Sequence, residues 1–493
     1  MQWGEKIKEL ATDAYCRQCF LPPASPETTF SLVPTPKSAI ATGFLFVMPN
    51  KRIYRSVFAA ILIISGVALI AGLLGGTSTV LSQASTTQNS SLNSEGQVSV
   101  PSRENVTVIT TDSNSWLQSG KETARSTAEI VAFAPNGSVL YQNDSHLRYW
   151  DVDPVPTKRA TVVYGSADHL PSRKCPGNSS CTRNNFERLN LTTGEATQIY
   201  SGITPERVAK RWHDIDRIND THLVIAGIDE DRVFIVNATT SKITWEWRTQ
   251  MEYQTSTGGD YPEDWTHLND VEFLQDGRIM VSLRNHDQVI FLDSNRRPEK
   301  ALIENWTLGA EDNDEILHEQ HNPDYIPEDN GGPAVVVADS ENNRIVEYHR
   351  SNKSWKTTWT WTDPRLQWPR DADRLPDGHT LITDSNGNRV FEINERGEIV
   401  WEVSIAYPYE AERLGTDDES TNGPAITRMN ASNSRSYGLV TRAWLEMRSL
   451  LSGPMFSAVL YVLPAWMGLS HFIAGVLFVL TGVSWTALEW WWS

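Results

Sequence analysis

Three histidines and an arginine recur at the same place in a repeated pattern. His213 in WHDI, His267 in DWTHLND, His321 in QHNPDYI and Arg370 in PRDADR each stand just ahead of an apolar strand pattern. The repeat is about 50 residues. A further cation, Arg284, follows in VSLRNH with His286 two places on. These residue types suit an anion whose negative charge is spread over several oxygens. A guanidinium offers a planar fork of fixed charge, protonated His213 and His267 would add charge-assisted bonds, and a neutral imidazole at His321 can attack and carry a transferred group. Asn269, His286 and Arg370 are expected to bind substrate alongside them. Zinc or copper on three histidines is the alternative, but Arg284 beside them disfavours a cation. Asp214, Asp270 and Asp371 could suggest a calcium-dependent hydrolase, although DI, ND and RD pairs are read as caps of strands and turns. No cofactor or metal is assigned.

The elements that must position these groups are short strands. From Asp264 to Leu292 the chain reads as an entry with His267, an alternating strand (Val271, Phe273), a turn at Asp276-Gly277, a second strand, a polar break and a third strand. Units of this kind begin at Trp212, Gln320 and Pro369, and weaker ones occupy Ala128–Val152 and Ala160–Ser201. This predicts an all-β propeller of four-stranded blades, six in number, with five or seven as the alternatives. The innermost strands of a propeller surround one axis, so the recurring residues should converge on one axial pocket. The tryptophans of ITWEW, WKTTWTW and IVWEV are expected to pack between blades.

The chain has 493 residues and a formal charge of -18. Such acidity excludes nucleic acid as a partner, because phosphate backbones need a basic footprint. Only 12 of 43 basic residues are lysine, a composition suited to high salt. Residues 1–52 are expected to be a cytoplasmic tail, with Met48 as a second candidate start and Cys16 and Cys19 as two unpaired thiols. Residues 53–76, preceded by Lys51 and Arg52, are expected to cross the lipid bilayer. A Ser/Thr-rich linker (77–105), an extracellular propeller (106–405), a linker (406–448) and two C-terminal transmembrane helices in a hairpin (449–491) complete the expected order. N-x-S/T sequons run from Asn89 to Asn430, confined to the part placed outside the membrane. Cys175 and Cys181 in CPGNSSC are expected to close a surface loop by a disulfide.

The strings WHDI, DWTHLNDVEF followed by VSLRNH, and QHNPDYI resemble the arylsulfate sulfotransferase (arylsulfotransferase) family, over roughly 205–405, and point to a membrane-anchored member of haloarchaeal type. The resemblance implies a six-bladed propeller that moves a sulfuryl group from a phenolic sulfate donor to a phenol or other hydroxyl acceptor, without a nucleotide, through a sulfated histidine. Position by position, His321 resembles the family's nucleophile, and His213, His267 and Arg284 its sulfate-holding residues. Membrane segments stand where the family has a separate N-terminal domain. A non-catalytic surface propeller that binds a glycan or an envelope protein is the alternative.

Overall fold

The computed structural model describes residues 51–75, 100–113, 126–205 except 157 and 159, 210–429 and 467–492, with a few single positions between 438 and 463. Cys16, Cys19, residues 76–99 and most of 430–466 lie outside the described residues.

The chain forms two compact units. In one, helix α1 (Lys51–Gly75) packs on helix α2 (Leu469–Trp492). Arg55 donates to Glu489 at 2.5 Å. Segment His471–Trp492 is long and apolar enough to cross a membrane, and α1 carries the shorter apolar run Tyr54–Ile70.

The other unit contains six four-stranded antiparallel sheets in a ring. The innermost strands are β4 (Arg148–Pro154), β8 (Trp212–Arg217), β12 (Leu268–Phe273), β16 (His321–Ile326), β20 (Pro369–Arg374) and β24 (Pro408–Arg413). Each touches the next, and β24 returns to β4. The first blade is composite: β24 pairs with β1 (Thr107–Thr111), so the two ends of the ring share one sheet. The propeller therefore runs beyond residue 405, the end expected from the repeats. The sequence unit 128–152 also divides, because RYWDV belongs to the second blade as its inner strand.

Carboxylates of the inner strands cross between blades. Val271 N donates to Asp214 at 2.8 Å, Phe273 N to Asp216 at 2.6 Å, Tyr325 N to Glu272 at 2.9 Å, Ala411 N to Asp371 at 3.2 Å and Val152 N to Glu410 at 2.9 Å. Of the acidic residues read as local strand caps, Asp214 and Asp371 thus belong to a belt, with Asp216, Glu272 and Glu410, that satisfies the backbone of the neighbouring blade. Tryptophans seal the blades farther out. Trp247, Trp361 and Trp401 are each buried in apolar clusters drawn from two adjacent sheets.

In the second blade, Cys175 and Cys181 are joined with Cα atoms 5.6 Å apart. Beside that hairpin, His146 bonds Asp168 at 2.7 Å and Glu187 at 2.9 Å. Burial works against the imidazolium, but the two carboxylates outweigh it and lift its pKa to about 9. The bound proton stabilises the fold fully below the unfolded value near 6.5, and this is lost as pH rises through 9. Unfolding by denaturant should show stability falling by on the order of 2 kcal/mol between pH 6.5 and 9. A His146→Gln variant should lack that slope.

Candidate active site

Two tiers of side chains surround the mouth of the ring, set by the register of the inner strands. The bulge-delimited starts align His213 with Asn269, His321, Arg370, Tyr409 and Trp150. Two residues earlier in each strand entry stand Arg148, Arg211, His267, Glu319, Trp368 and Tyr407. His267 therefore belongs to the upper tier, and Asn269 holds the position matching His213 and His321. Four of the upper six, His267 (φ 41°), Glu319 (φ 47°), Trp368 (φ 58°) and Tyr407 (φ 52°), are in the left-handed region. That conformation costs on the order of 1 kcal/mol per residue, and the closed ring holds it.

The histidines converge. His213 and His267 meet edge to face with ring centroids 5.3 Å apart, and the Tyr409 hydroxyl lies within 3.0 Å of both nitrogens of His213. His321 Nδ1 is 2.8 Å from Ser340 Oγ. That hydroxyl donates its proton to the Pro369 carbonyl at 2.7 Å, so toward His321 it is the acceptor. Nδ1 of His321 then carries the hydrogen, and Nε2 keeps its lone pair. His267 Nδ1 donates in the same sense to Asp264, 2.8 and 2.9 Å from its two oxygens.

The electrostatics differ from the expectation that His213 and His267 are protonated. Burial, then the nearby arginines and fellow histidines, hold His213 and His321 well below the usual imidazole value. Burial also brings His267 down to about 4, Asp264 opposing and Arg284 assisting. Asp264 itself is pushed up by burial, yet His267, Arg284 and Arg211 more than offset that and hold it at about 2. All three rings are therefore neutral at pH 7, and the positive charge is carried by arginine. Arg148 pairs with Asp112, and Arg284 pairs with Glu319. Arg211 is pulled down to about 10 by burial and by Arg148. Glu341 is pushed up to about 8 by burial and Glu319, hence neutral. Four guanidinium groups, those of Arg148, Arg211, Arg284 and Arg370, thus stand among the acidic side chains Asp112, Asp264 and Glu319.

Arg370 has no carboxylate in salt-bridge range among the described residues. Its guanidinium lies 4.1 Å from the Tyr409 ring centroid, 4.5 Å from that of Trp368 and 5.4 Å from that of Tyr407. One Nη reaches the Tyr407 hydroxyl at 3.5 Å, while Nε and Nη1 are buried without partners. A guanidinium held between aromatic faces with two N–H groups unsatisfied is a receptor for two oxygens of an anion. Tyr461 stands against Tyr407 (5.4 Å between centroids) and Trp368 (6.2 Å), so a residue from the apolar stretch expected to span the membrane roofs this pocket.

Other sequence candidates lie apart from this set. His286 is fully buried against Tyr253 and Trp265 and bonds Thr257 Oγ1 at 3.2 Å, a packing position rather than a substrate contact. Asn269 donates to the Gln320 carbonyl at 2.9 Å, steadying the entry to His321. Among the described residues, no grouping able to hold a metal ion includes His213, His267 or His321. The cluster Asp377, His379 and Glu392 is already occupied by Arg103, and Arg413 also bonds Glu392.

Fold and site define a six-bladed propeller with a cationic, histidine-lined axial pocket. Residues 206–406 match the family model described as Arylsulfotransferase (ASST). No curated protein matches the sequence. Among solved structures, the periplasmic gluconolactonase PpgL of Pseudomonas aeruginosa is similar at 11% identity and a TM-score of 0.40, covering 63% of this chain and 99% of that one. A chain of the nidogen/laminin complex is similar at 10% identity and 0.39, covering 62% and 97%. Sqt1 of Saccharomyces cerevisiae gives 10% and 0.35, covering 57% and 69%. Likenesses this distant carry no functional argument.

Proposed function

We propose that this protein is an arylsulfotransferase that moves a sulfuryl group from a phenolic sulfate ester to a hydroxyl acceptor through a sulfated His321. The observation that carries the reading is Arg370, with two unpartnered N–H groups beside a histidine whose Nδ1 is committed to Ser340. The family match over 206–406 names the transferred group. In the first step His321 Nε2 attacks sulfur, an N–S bond forms, and the S–O bond to the aryl group breaks with the electron pair leaving as phenolate. In the second, the acceptor oxygen attacks sulfur, the N–S bond breaks, and the acceptor's proton passes to a neutral imidazole, His267 or His213. The arginines supply fixed donors to oxygens whose charge grows in each transition state. Because the empty pocket keeps His213 and His267 neutral, donor binding should take up a proton at one of them at pH 7, and that proton leaves with the phenolate, restoring the neutral imidazole needed in the second step. We place the propeller outside the cell, tethered to the membrane by its flanking apolar helices, as a haloarchaeal-type member would be.

The test is release of 4-nitrophenolate from 4-nitrophenyl sulfate by the full chain at high salt, with and without a phenol. Release that depends on the phenol, with sulfated phenol as product, supports transfer. No release from folded protein across several aryl sulfates sinks the enzymatic reading in favour of a binding propeller. Ser340→Ala should lower kcat by about 10-fold, with KM little changed, because the ring loses the acceptor that fixes its tautomer.

A further inference from the structure

We propose that the axial channel binds a calcium ion between Asp324, Asp371, Asp373 and Glu419, apart from the histidine pocket. Along β16 and β20 these carboxylates lie one to three residues beyond His321 and Arg370, deeper in the ring. The argument begins with what their counterparts do. At the position of Asp324 and Asp373, the other inner strands have Asp153, Asp216, Glu272 and Glu412, and Asp216 and Glu272 each accept a backbone N–H from the next blade. Between β16 and β20 that belt is interrupted. Ser420 is wedged in, its hydroxyl donating to Asp324 at 2.5 Å and accepting from Arg374 N at 2.6 Å. The loop delivering it turns through two left-handed residues, Asp417 (φ 79°) and Glu419 (φ 50°), and brings the Glu419 carboxylate to the same point.

The interruption leaves acceptors with nothing to accept. Asp373 is 1% exposed, and among the described residues no donor outside the carboxyl cluster reaches either of its oxygens. One oxygen each of Asp324 and Asp371 is likewise buried and unpartnered. The nearest polar groups to Asp373 are other carboxylates, which offer no proton when ionised. Four like charges this close, out of water, cannot coexist without a counter-charge. Burial pushes all four carboxyls up, and repulsion from neighbouring carboxylates adds to it at Asp371, Asp373 and Glu419; Arg374 is already paired with Glu347.

One ligand oxygen from each residue lies within 4.8 Å of the others. Two oxygens on opposite sides of a calcium ion at about 2.4 Å each are separated by about that distance. An all-oxygen, carboxylate-rich and largely dehydrated set suits calcium better than magnesium, which requires shorter bonds and keeps its waters. Since the empty cluster must hold protons, binding should release them.

The experiment uses the full chain in detergent, stripped with a chelator and dialysed against radioactive calcium at pH 7. One saturable calcium per chain is expected, with release of protons, a higher thermal midpoint and a much weaker effect of magnesium. Asp373→Asn, which keeps shape and removes one charge, should lower calcium affinity at least tenfold. Without calcium this variant should be no less stable than the parent, which separates a ligand role from a structural one. Glu419→Gln should weaken binding similarly. No saturable calcium, or calcium binding unchanged in both variants, would overturn the proposal and leave a proton-sharing carboxyl cluster.

Discussion

His321→Ala is expected to reduce sulfuryl transfer by on the order of 10⁴-fold, because in the proposed mechanism it removes the atom to which the group is bonded between the two half-reactions. The fold should survive. The ring takes no part in the carboxylate belt; it bonds Ser340 at 2.8 Å, meets the Glu319 backbone and approaches Trp368 edge to face at 5.3 Å. Two readouts separate chemistry from damage. Near-ultraviolet circular dichroism should be preserved, and a radioactive aryl sulfate that labels the parent chain in the absence of acceptor should leave the variant unlabelled. A folded variant with unimpaired transfer would mean that another group, or direct displacement, carries the reaction.

Arg370→Gln should lower kcat/KM for the sulfate donor by about 10² to 10³-fold, the usual loss on removing a preorganised donor to developing charge. Arg370→Lys should recover little, since a point charge cannot replace a planar fork stacked between rings. A second effect has a definite sign. After burial, Arg370 is the leading influence holding His321 low. Removing it lets the imidazole pKa rise toward its ordinary value, so the acidic limb of kcat/KM should move to higher pH in Arg370→Gln. Arg284→Gln should behave differently, because it frees the Glu319 carboxylate, and that negative charge adds to the upward shift.

Much of this was legible in the residues, and the omissions have a common cause. Alternating strands, turn residues and a period near 50 define a propeller, and the polar head of each repeat marks the inner strand. His213, His321 and Arg370 do occupy equivalent positions. His267 does not; it lies two residues upstream, and seeing that offset would have exposed the whole upper tier. Arg148 and Arg211 sit two places ahead of Trp150 and His213, where a repeat aligned on histidine carries no signal. Ser340, Tyr407 and Tyr409 reach the pocket only through tertiary contact, from a strand end and from a segment that read as linker. Residue type alone suggests that His213 and His267 are cations, while burial among arginines makes them neutral.

The seam of the ring has a consequence for the order in which the molecule comes into being. Thr110 and Glu410 meet in one sheet although 300 positions separate them, and the strand that completes that sheet also supplies Tyr409 to the pocket and Glu410 to the belt. Closing so long a loop forfeits chain entropy before any contact compensates it, and pairings between distant parts of a chain form slowly. Five blades can assemble while the chain is still being synthesised, but the sixth waits for residues 408–413. Until then His213 lacks its tyrosine and Arg370 lacks one of its aromatic faces. The anion pocket thus waits on that strand, and a product stopped short of it would be a nearly whole propeller with an incomplete centre.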